Sequence, residues 1–390
     1  MDAQVYLDWN ATAPLRQEAR DAMLAAADMV GNPSSVHAQG RAARRLIEQA
    51  RAQVAALVGA QVQDVIFTSG GTEANMLALT PAIDVEGQKV PRGRLLVSAI
   101  EHPSVRTGGR FAPDSPVEEI PVSESGILEI AALERRLAEL ATAGHRPLVS
   151  IMLANNETGV MQPVAQAADL VHAAGGLLHV DAIQGPGRIS CDFSSLKVDL
   201  LTLSAHKLGG PKGVGALIKR SGLHIEPQLK GGGQERNQRA GTENVSGIAG
   251  FGAAAEAVKA ALPAESTHMA AMRGLLEAGI RRGHPKVVIF GSDLPRLPNT
   301  TLFSAPGMKA ETAVIAFDLE GVAVSSGSAC SSGKVAPSHV LAAMGVPPEL
   351  ARGAIRVSLG YSTTESDVSA FLRAWVKLAG ALYKGKKIAA

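Results

Sequence analysis

Residues 199–215 read DLLTLSAHKLGGPKGVG. An apolar run with no polar alternation ends in Ser204, Ala205, His206 and Lys207, and a glycine-rich turn follows. A strand that is apolar on both faces belongs in a parallel sheet covered by helices on each side. Working outward, DVIFTS (64–69), RLLVSAI (94–100), PLVSIMLANN (147–156), GLLHVDAIQ (176–184) and GVGALIKR (213–220) repeat that texture. Helical patterns such as LERRLAELATAG and VAQAADLVHAAG fall between several of them. The expected class is therefore α/β, and in such sheets a ligand sits beyond the carboxyl ends of the strands.

The totals narrow the possibilities. At 390 residues the chain is longer than one core usually serves, so a large and a smaller domain are expected. The large domain is assigned to residues 13–255. The smaller α+β domain is assigned to 1–12 together with 256–390, where Ala-rich helical segments precede KVVIFGS, TTLFSA and GVAVSSGSA. Aromatic residues are only 3%, which predicts a core of Ala, Val, Leu and Ile. A formal charge of +2 without a basic run gives no reason to expect direct nucleic-acid binding. The two cysteines exclude a disulfide framework, and no CxxC or HExxH motif suggests an intrinsic metal. Neither a basic and apolar leader nor an apolar stretch near 18 residues is read in the sequence, so the expectation is a cytoplasmic protein without a membrane span.

Polar residues gather where apolar strands end. In TSGGTEAN (68–75), Gly71 and Thr72 open a helix whose backbone N–H groups could hold an anion. Read alone, the same stretch is an ordinary turn capped by Thr72. Lys207 follows its strand directly, where desolvation lowers an amine's pKa and frees it to condense with a carbonyl. The plain alternative is a solvated lysine at a loop start. Ser204 and His206, two apart on an extended strand, share a face and could reach one anion. Asp181, in HVDAIQ, is costly to bury unless it meets a cation, such as a protonated pyridine nitrogen, or caps a helix. His102, in IEHPSV, could stack on a planar ring and move protons, and Asn155, in ANNETG, could bond a ring oxygen or simply serve a turn. Each signal has a bland reading. Together they assemble a phosphate cradle, an amine, an acid and a stacking ring along one sheet edge.

The second distinctive stretch is SSGSACSSGK (325–334), with Cys330 at its centre. A structural cysteine is usually packed among apolar neighbours, whereas serine and glycine give a pliable, solvated backbone. A thiol carried on an arm, reactive as the thiolate, fits that setting. GSACSSGKV imitates a P-loop, but Val335 occupies the Ser/Thr position. Cys191, in RISCDF, is read as structural.

Taken in order, GNPSSVHAQG (31–40), TSGGTEAN, EHPSV, NNETG, HVDAIQ, SAHK, GGGQERNQRAGTENV (231–245) and SSGSAC resemble the cysteine desulfurases of the NifS/IscS type. These are pyridoxal-phosphate enzymes of the class V aminotransferase family, and the resemblance runs from residue 6 to about residue 360. It implies the pyridoxal-phosphate fold type I. Lys207 would hold pyridoxal 5'-phosphate covalently. His102 would stack on its ring and shuttle protons, and Asp181 would pair with its pyridine nitrogen. Asn155 and Gln184 would approach the ring oxygen, and Gly71, Thr72, Ser204 and His206 would hold the phosphate. Thr242 would reach the phosphate site of a second subunit, so a homodimer is implied. Arg356, with Asn155, would bind the substrate carboxylate.

The implied reaction turns L-cysteine into L-alanine and leaves a persulfide on Cys330. An iron–sulfur scaffold or another acceptor protein would collect that sulfur, and the persulfide could transiently ligate a cluster there. A selenocysteine lyase, a class V aminotransferase and a non-enzymatic relative are the competing readings. Trp9, Ala13, Met76 and Asn237 depart from the commonest family pattern, Asn237 at a usual glycine, which puts the shape of the pocket mouth in question.

Overall fold

The computed structural model describes residues 4–89, 92–111, 117–327 and 338–388. Its centre is a seven-stranded sheet: β1 (Val65–Thr68), β2 (Leu95–Ser98), β3 (Val117–Ile120), β4 (Leu148–Met152), β5 (Leu177–Asp181), β6 (Leu200–Ser204) and β7 (Gly215–Lys219). The spatial order is β1-β7-β6-β5-β4-β2-β3. Only β7 runs antiparallel to its neighbours. Every residue of β4, β5, β6 and β7 is buried, which is why these strands read as mainly apolar runs without a regular polar alternation. Glycine is required where β7 begins. A Cβ on Gly215 would stand 2.5 Å from the Gly70 carbonyl carbon, so a side chain there would push apart the two strands that frame Gly71.

Helices α1 (Gln17–Ala27) and α2 (Ala38–Leu57) pack on the long helix α3 (Val245–Gly283). This helix joins two cores. Phe251, Ala254 and Val258 belong to the core of the large sheet, and Met272, Leu276 and Ile280 to a second core. The expected boundary between residues 255 and 256 thus falls inside one helix. Among the described residues α3 alone is long and apolar enough to cross a membrane, against the expectation of no apolar stretch near 18 residues. Half of its most apolar 18 residues are buried, and they pack as core.

The second core covers a four-stranded antiparallel sheet formed by Val288–Ile289, Thr300–Ser304, Ile355–Ser358 and Ser325–Ser326, in that spatial order. The scarce aromatics concentrate here. Phe303 meets Trp375 edge-on with ring centroids 5.1 Å apart, and Phe317 stacks on Phe371 at 4.9 Å. The expectation of a purely aliphatic interior therefore fails for this core. Val5–Tyr6 pairs with Val322–Ala323, and Leu7 is buried in the same cluster.

One strained segment is pinned to the large sheet. Glu235, Arg236 and Asn237 have φ of 45°, 55° and 63°, in the left-handed region that costs on the order of 1–3 kcal/mol for a non-glycine residue. Asparagine tolerates that region best after glycine, which accounts for Asn237 at a usual glycine position. Arg51 and Glu235, both buried, meet in a two-pronged ion pair at 2.6 and 2.8 Å. Arg51 also donates to the Val65 carbonyl, and Glu235 accepts from the Phe67 amide, so the pair fastens residues 235–237 to β1. Replacing Arg51 by Ala strands the Glu235 carboxylate in the core. A loss of about 3–5 kcal/mol is expected, measured as a lower urea midpoint with an unchanged slope.

Candidate active site

A cavity of about 320 Å³ opens beyond the carboxyl ends of the central strands. Gly71, Thr72, His102, Asp181, Gln184, Ser204, His206, Lys207 and Arg356 all line it, together with Asn10, Ser104 and Asn156. Their positions follow from topology. Asp181 ends β5, Ser204 ends β6, and His206 and Lys207 form the single 3-10 turn that follows. Gly71 starts the helix Gly71–Ala78 directly after β1 and its turn, with no side chain capping the helix entry.

Lys207 Nζ donates to the carbonyls of Asn10 at 2.6 Å and Ala11 at 2.8 Å. Asp181 is anchored on both oxygens: Oδ1 accepts from the Ile183 amide, and Oδ2 from Asn75 Nδ2 at 2.9 Å. Asn75 is itself fixed by Thr202, which donates to its Oδ1 at 2.7 Å. Its Nδ2 also lies 2.9 Å from Ser104 Oγ, which sits 2.8 Å from His102 Nδ1. Because Nδ1 also accepts the Ser104 amide, the neutral His102 ring carries its proton on Nε2. Burial lowers the His102 pKa and so does Lys207, while Asp181 pulls it back up. Burial and neighbouring cations push His206 down to about 4, so it serves as a neutral hydrogen-bonding ring, 3.2 Å from Thr12 Oγ1.

Asn155 is placed differently from the expectation. It is wholly buried and is not among the cavity-lining residues; Asn156 takes that place. Asn155 Oδ1 accepts from the Glu157 and Thr158 amides, and Nδ2 donates to the Ile100 carbonyl. Its carboxamide thus shapes the turn, as the simpler reading of ANNETG allowed. Thr242 is exposed and does not line this chain's cavity. Cys330 lies outside the described residues. Cys191 is buried, and burial pushes its thiol up to about 12.

Several residues of the site carry no sequence signal of their own. Asn75 and Glu101 sit inside quoted motifs, but nothing in their spacing marked them. Burial and Asp181 hold the Glu101 carboxyl well above the ordinary range, as a neutral acid behind the cavity. Asp8 fixes Arg356 through a 2.8 Å bond to Nη2, while Nη1 donates to the Asn156 carbonyl and Nε has no protein partner. Trp9 turns inward. A Cβ on Gly360 would lie 2.1 Å from the Trp9 ring, and Trp9 meets Tyr361 edge-on at 5.4 Å. That departure fills a space behind Lys207 and does not line the larger cavity.

The donor set suits a planar, phosphorylated pyridine aldehyde. Gln184 Oε1 is buried without a protein partner in the cavity wall. A side chain on Gly71 would run into Ile183 Cδ1 at 2.3 Å, so backbone is left facing the space. An amine, a carboxylate, an imidazole and hydroxyls complete the match with pyridoxal phosphate.

Glu157 marks where the cysteine-bearing stretch departs and returns. Ser338 Oγ donates to its Oε2 at 2.6 Å, and a Cβ on Gly327 would lie 3.2 Å from the same oxygen. Burial pushes the Glu157 carboxyl up from 4.5 to about 7, against the opposing pull of Ser338 and Arg356. The folded protein thus binds a proton there that the unfolded chain releases near pH 4.5. The resulting stability is complete below pH 4.5 and lost as pH rises through 7. The total loss across that interval is about 3 kcal/mol. Urea titrations across that range should show a decline in the wild type that Glu157→Gln lacks.

The aminotransferase class-V family model matches residues 5–371. A cysteine desulfurase of Cereibacter sphaeroides is 42% identical over 374 residues, covering 95% of this chain and 94% of the relative. The cysteine desulfurase IscS of Dictyoglomus turgidum is 40% identical, covering 95% of this chain and 93% of its own. Among solved structures, a NifS-like protein from Rickettsia africae superposes with a TM-score of 0.87 at 36% identity, covering 98% of this chain and 99% of its own. The strand-end cavity and these full-length likenesses agree: the chain belongs to the aminotransferase class-V family, as a pyridoxal-phosphate-dependent member of the NifS/IscS cysteine desulfurase type.

Proposed function

We propose that this protein converts L-cysteine to L-alanine and carries the released sulfur as a persulfide on Cys330, for transfer to an iron–sulfur scaffold or another acceptor protein. The observation that carries the reading is the convergence of Lys207, Asp181 and His102 on one cavity. Lys207, Asp181, His102, Gln184 and the cradle of Gly71, Thr72, Ser204 and His206 are the residues that hold pyridoxal phosphate. When bound, that group supplies an electron sink for the carbon skeleton of the substrate.

The chain's own groups do the rest. Arg356, oriented by Asp8, takes the substrate carboxylate on the N–H groups that Asp8 and Asn156 leave over. The Lys207 amine accepts the α-proton and returns it, with His102 Nε2 as the second proton station. The Cys330 thiolate attacks the substrate sulfur: an S–S bond forms, the substrate's C–S bond breaks, and the carbon leaves as alanine after taking up a proton. Asn155 acts from behind, by holding the turn that presents Asn156. Thr242, exposed on this chain, is the residue that would contribute to the site of a second subunit in a homodimer.

The reading is tested by incubating the holoenzyme and its Cys330→Ala variant with L-cysteine and a reductant, and quantifying alanine and sulfide. Equal amounts of both from the wild type are expected, and a loss of at least about 100-fold in the variant. A variant with full activity would replace the persulfide reading with direct release of sulfur from substrate. Asn75→Ala should leave Asp181 and Ser104 without their shared donor. Weaker retention of pyridoxal phosphate by about tenfold is expected, read by dialysis and visible absorbance, with an altered pH profile for the His102-dependent step.

A further inference from the structure

The opposite edge of the same sheet carries a second cavity, of about 500 Å³. It lies at the amino ends of the parallel strands. Arg92 precedes β2, Arg146 precedes β4, Asp199 precedes β6, and Arg220 follows the antiparallel β7. His172 reaches it from the last turn of the helix Val164–Ala173. Three guanidinium groups therefore face one hollow, with Asp199 and Glu86 as its carboxylates.

The three guanidinium groups outnumber the two carboxylates. Asp199 is fully engaged: Oδ1 accepts from Arg220 Nε at 2.7 Å, and Oδ2 from His172 Nε2 and the Leu178 amide. Among the described residues, neither Arg92 nor Arg146 has a carboxylate within ion-pair distance. Arg92 is only 2% exposed. Its Nη1 donates to the Gly175 carbonyl, and its Nε is buried with no partner. Burial and the charges of Arg146 and Arg220 lower its pKa, with Asp199 opposing. A buried guanidinium with an unused donor, next to like charges, is a costly arrangement that an anion relieves. Arginine's planar fork matches phosphate oxygens two at a time. The volume falls within the range of small-molecule sites and exceeds what one phosphate fills.

We propose that this cavity binds a small polyphosphate anion, of the pyrophosphate or nucleoside-diphosphate class, across Arg92, Arg146 and Arg220. The site is separate from the cofactor cavity, since the two share no lining residue and lie at opposite ends of the strands.

The test is calorimetric titration of the pyridoxal-phosphate-loaded holoenzyme with inorganic pyrophosphate and, separately, with ADP at low ionic strength. Saturable binding tighter than about 1 mM is expected for at least one probe. Arg146 is exposed, which makes Arg146→Ala safe for folding, and Arg220→Lys keeps a cation beside the buried Asp199 while removing the planar fork. Each should weaken binding about tenfold. Arg136→Ala, which removes a surface ion pair with Glu118, should leave it unchanged. Equal affinity for both probes would assign the site to the phosphates alone, and tighter ADP would add the nucleoside, either of which supports the proposal. Absence of saturable binding, affinity unaffected by Arg146→Ala, or displacement of the cofactor's visible absorbance by the probe would overturn it.

Discussion

The hydrogen bond from Asn75 Nδ2 to Asp181 Oδ2 is the contact on which the arrangement of the active site rests. A carboxylate at the buried end of a strand needs partners, or it would neutralise itself by taking up a proton. Asn75 supplies one and the Ile183 amide the other. Asn75 is held in turn by Thr202, from the adjoining strand β6, and approaches Ser104 beside His102. One side chain thus fixes the distance between acid and imidazole, while Lys207 is steadied by the backbone carbonyls of Asn10 and Ala11. Acid and imidazole thus share one anchor, while the amine has its own.

The N-terminal segment ties the two sheets together at this point. Leu7 is buried in the second core, and Asp8 grips Arg356. The Asn10 amide donates to Ser358 Oγ, and its side chain donates to Thr300 Oγ1 and the Asn156 carbonyl. Within a few residues the chain passes from the smaller sheet to the lysine. Displacement of the smaller sheet would therefore be felt directly at Lys207 and at the guanidinium of Arg356. Since α3 runs unbroken through both cores, the smaller sheet is held against the larger by packing as well as by this thread.

Parallel strands leave polar backbone at both ends, and the protein places different chemistry at each. At the carboxyl ends are an acid, an amine and neutral imidazoles around a compact cavity. At the amino ends are three arginines around a hollow whose buried aspartate is committed to Arg220, His172 and a backbone amide. The apolar interior between them, where even His179 is pushed down to about 3 by burial, separates the two edges.

The class of sheet is legible in the chain, because strands buried on both faces must be mainly apolar. The chain also locates the main groups of the site, because polar residues at the ends of such strands are conspicuous. Lys207, Asp181, His102 and the Gly71–Thr72 turn were legible for that reason, and so was the family. Tertiary structure decided what depends on distance between segments far apart in the chain. Asn75 looks like any helical asparagine until Thr202 and Asp181, more than 100 residues away, close around it. Asn155 and Asn156 cannot be told apart in ANNETG, and only the closure of the turn sends one inward and the other to the cavity. The gathering of Arg92, Arg146 and Arg220 is likewise invisible in one dimension. Each stands alone in sequence at a strand terminus, and only the order in which the strands pair makes them neighbours.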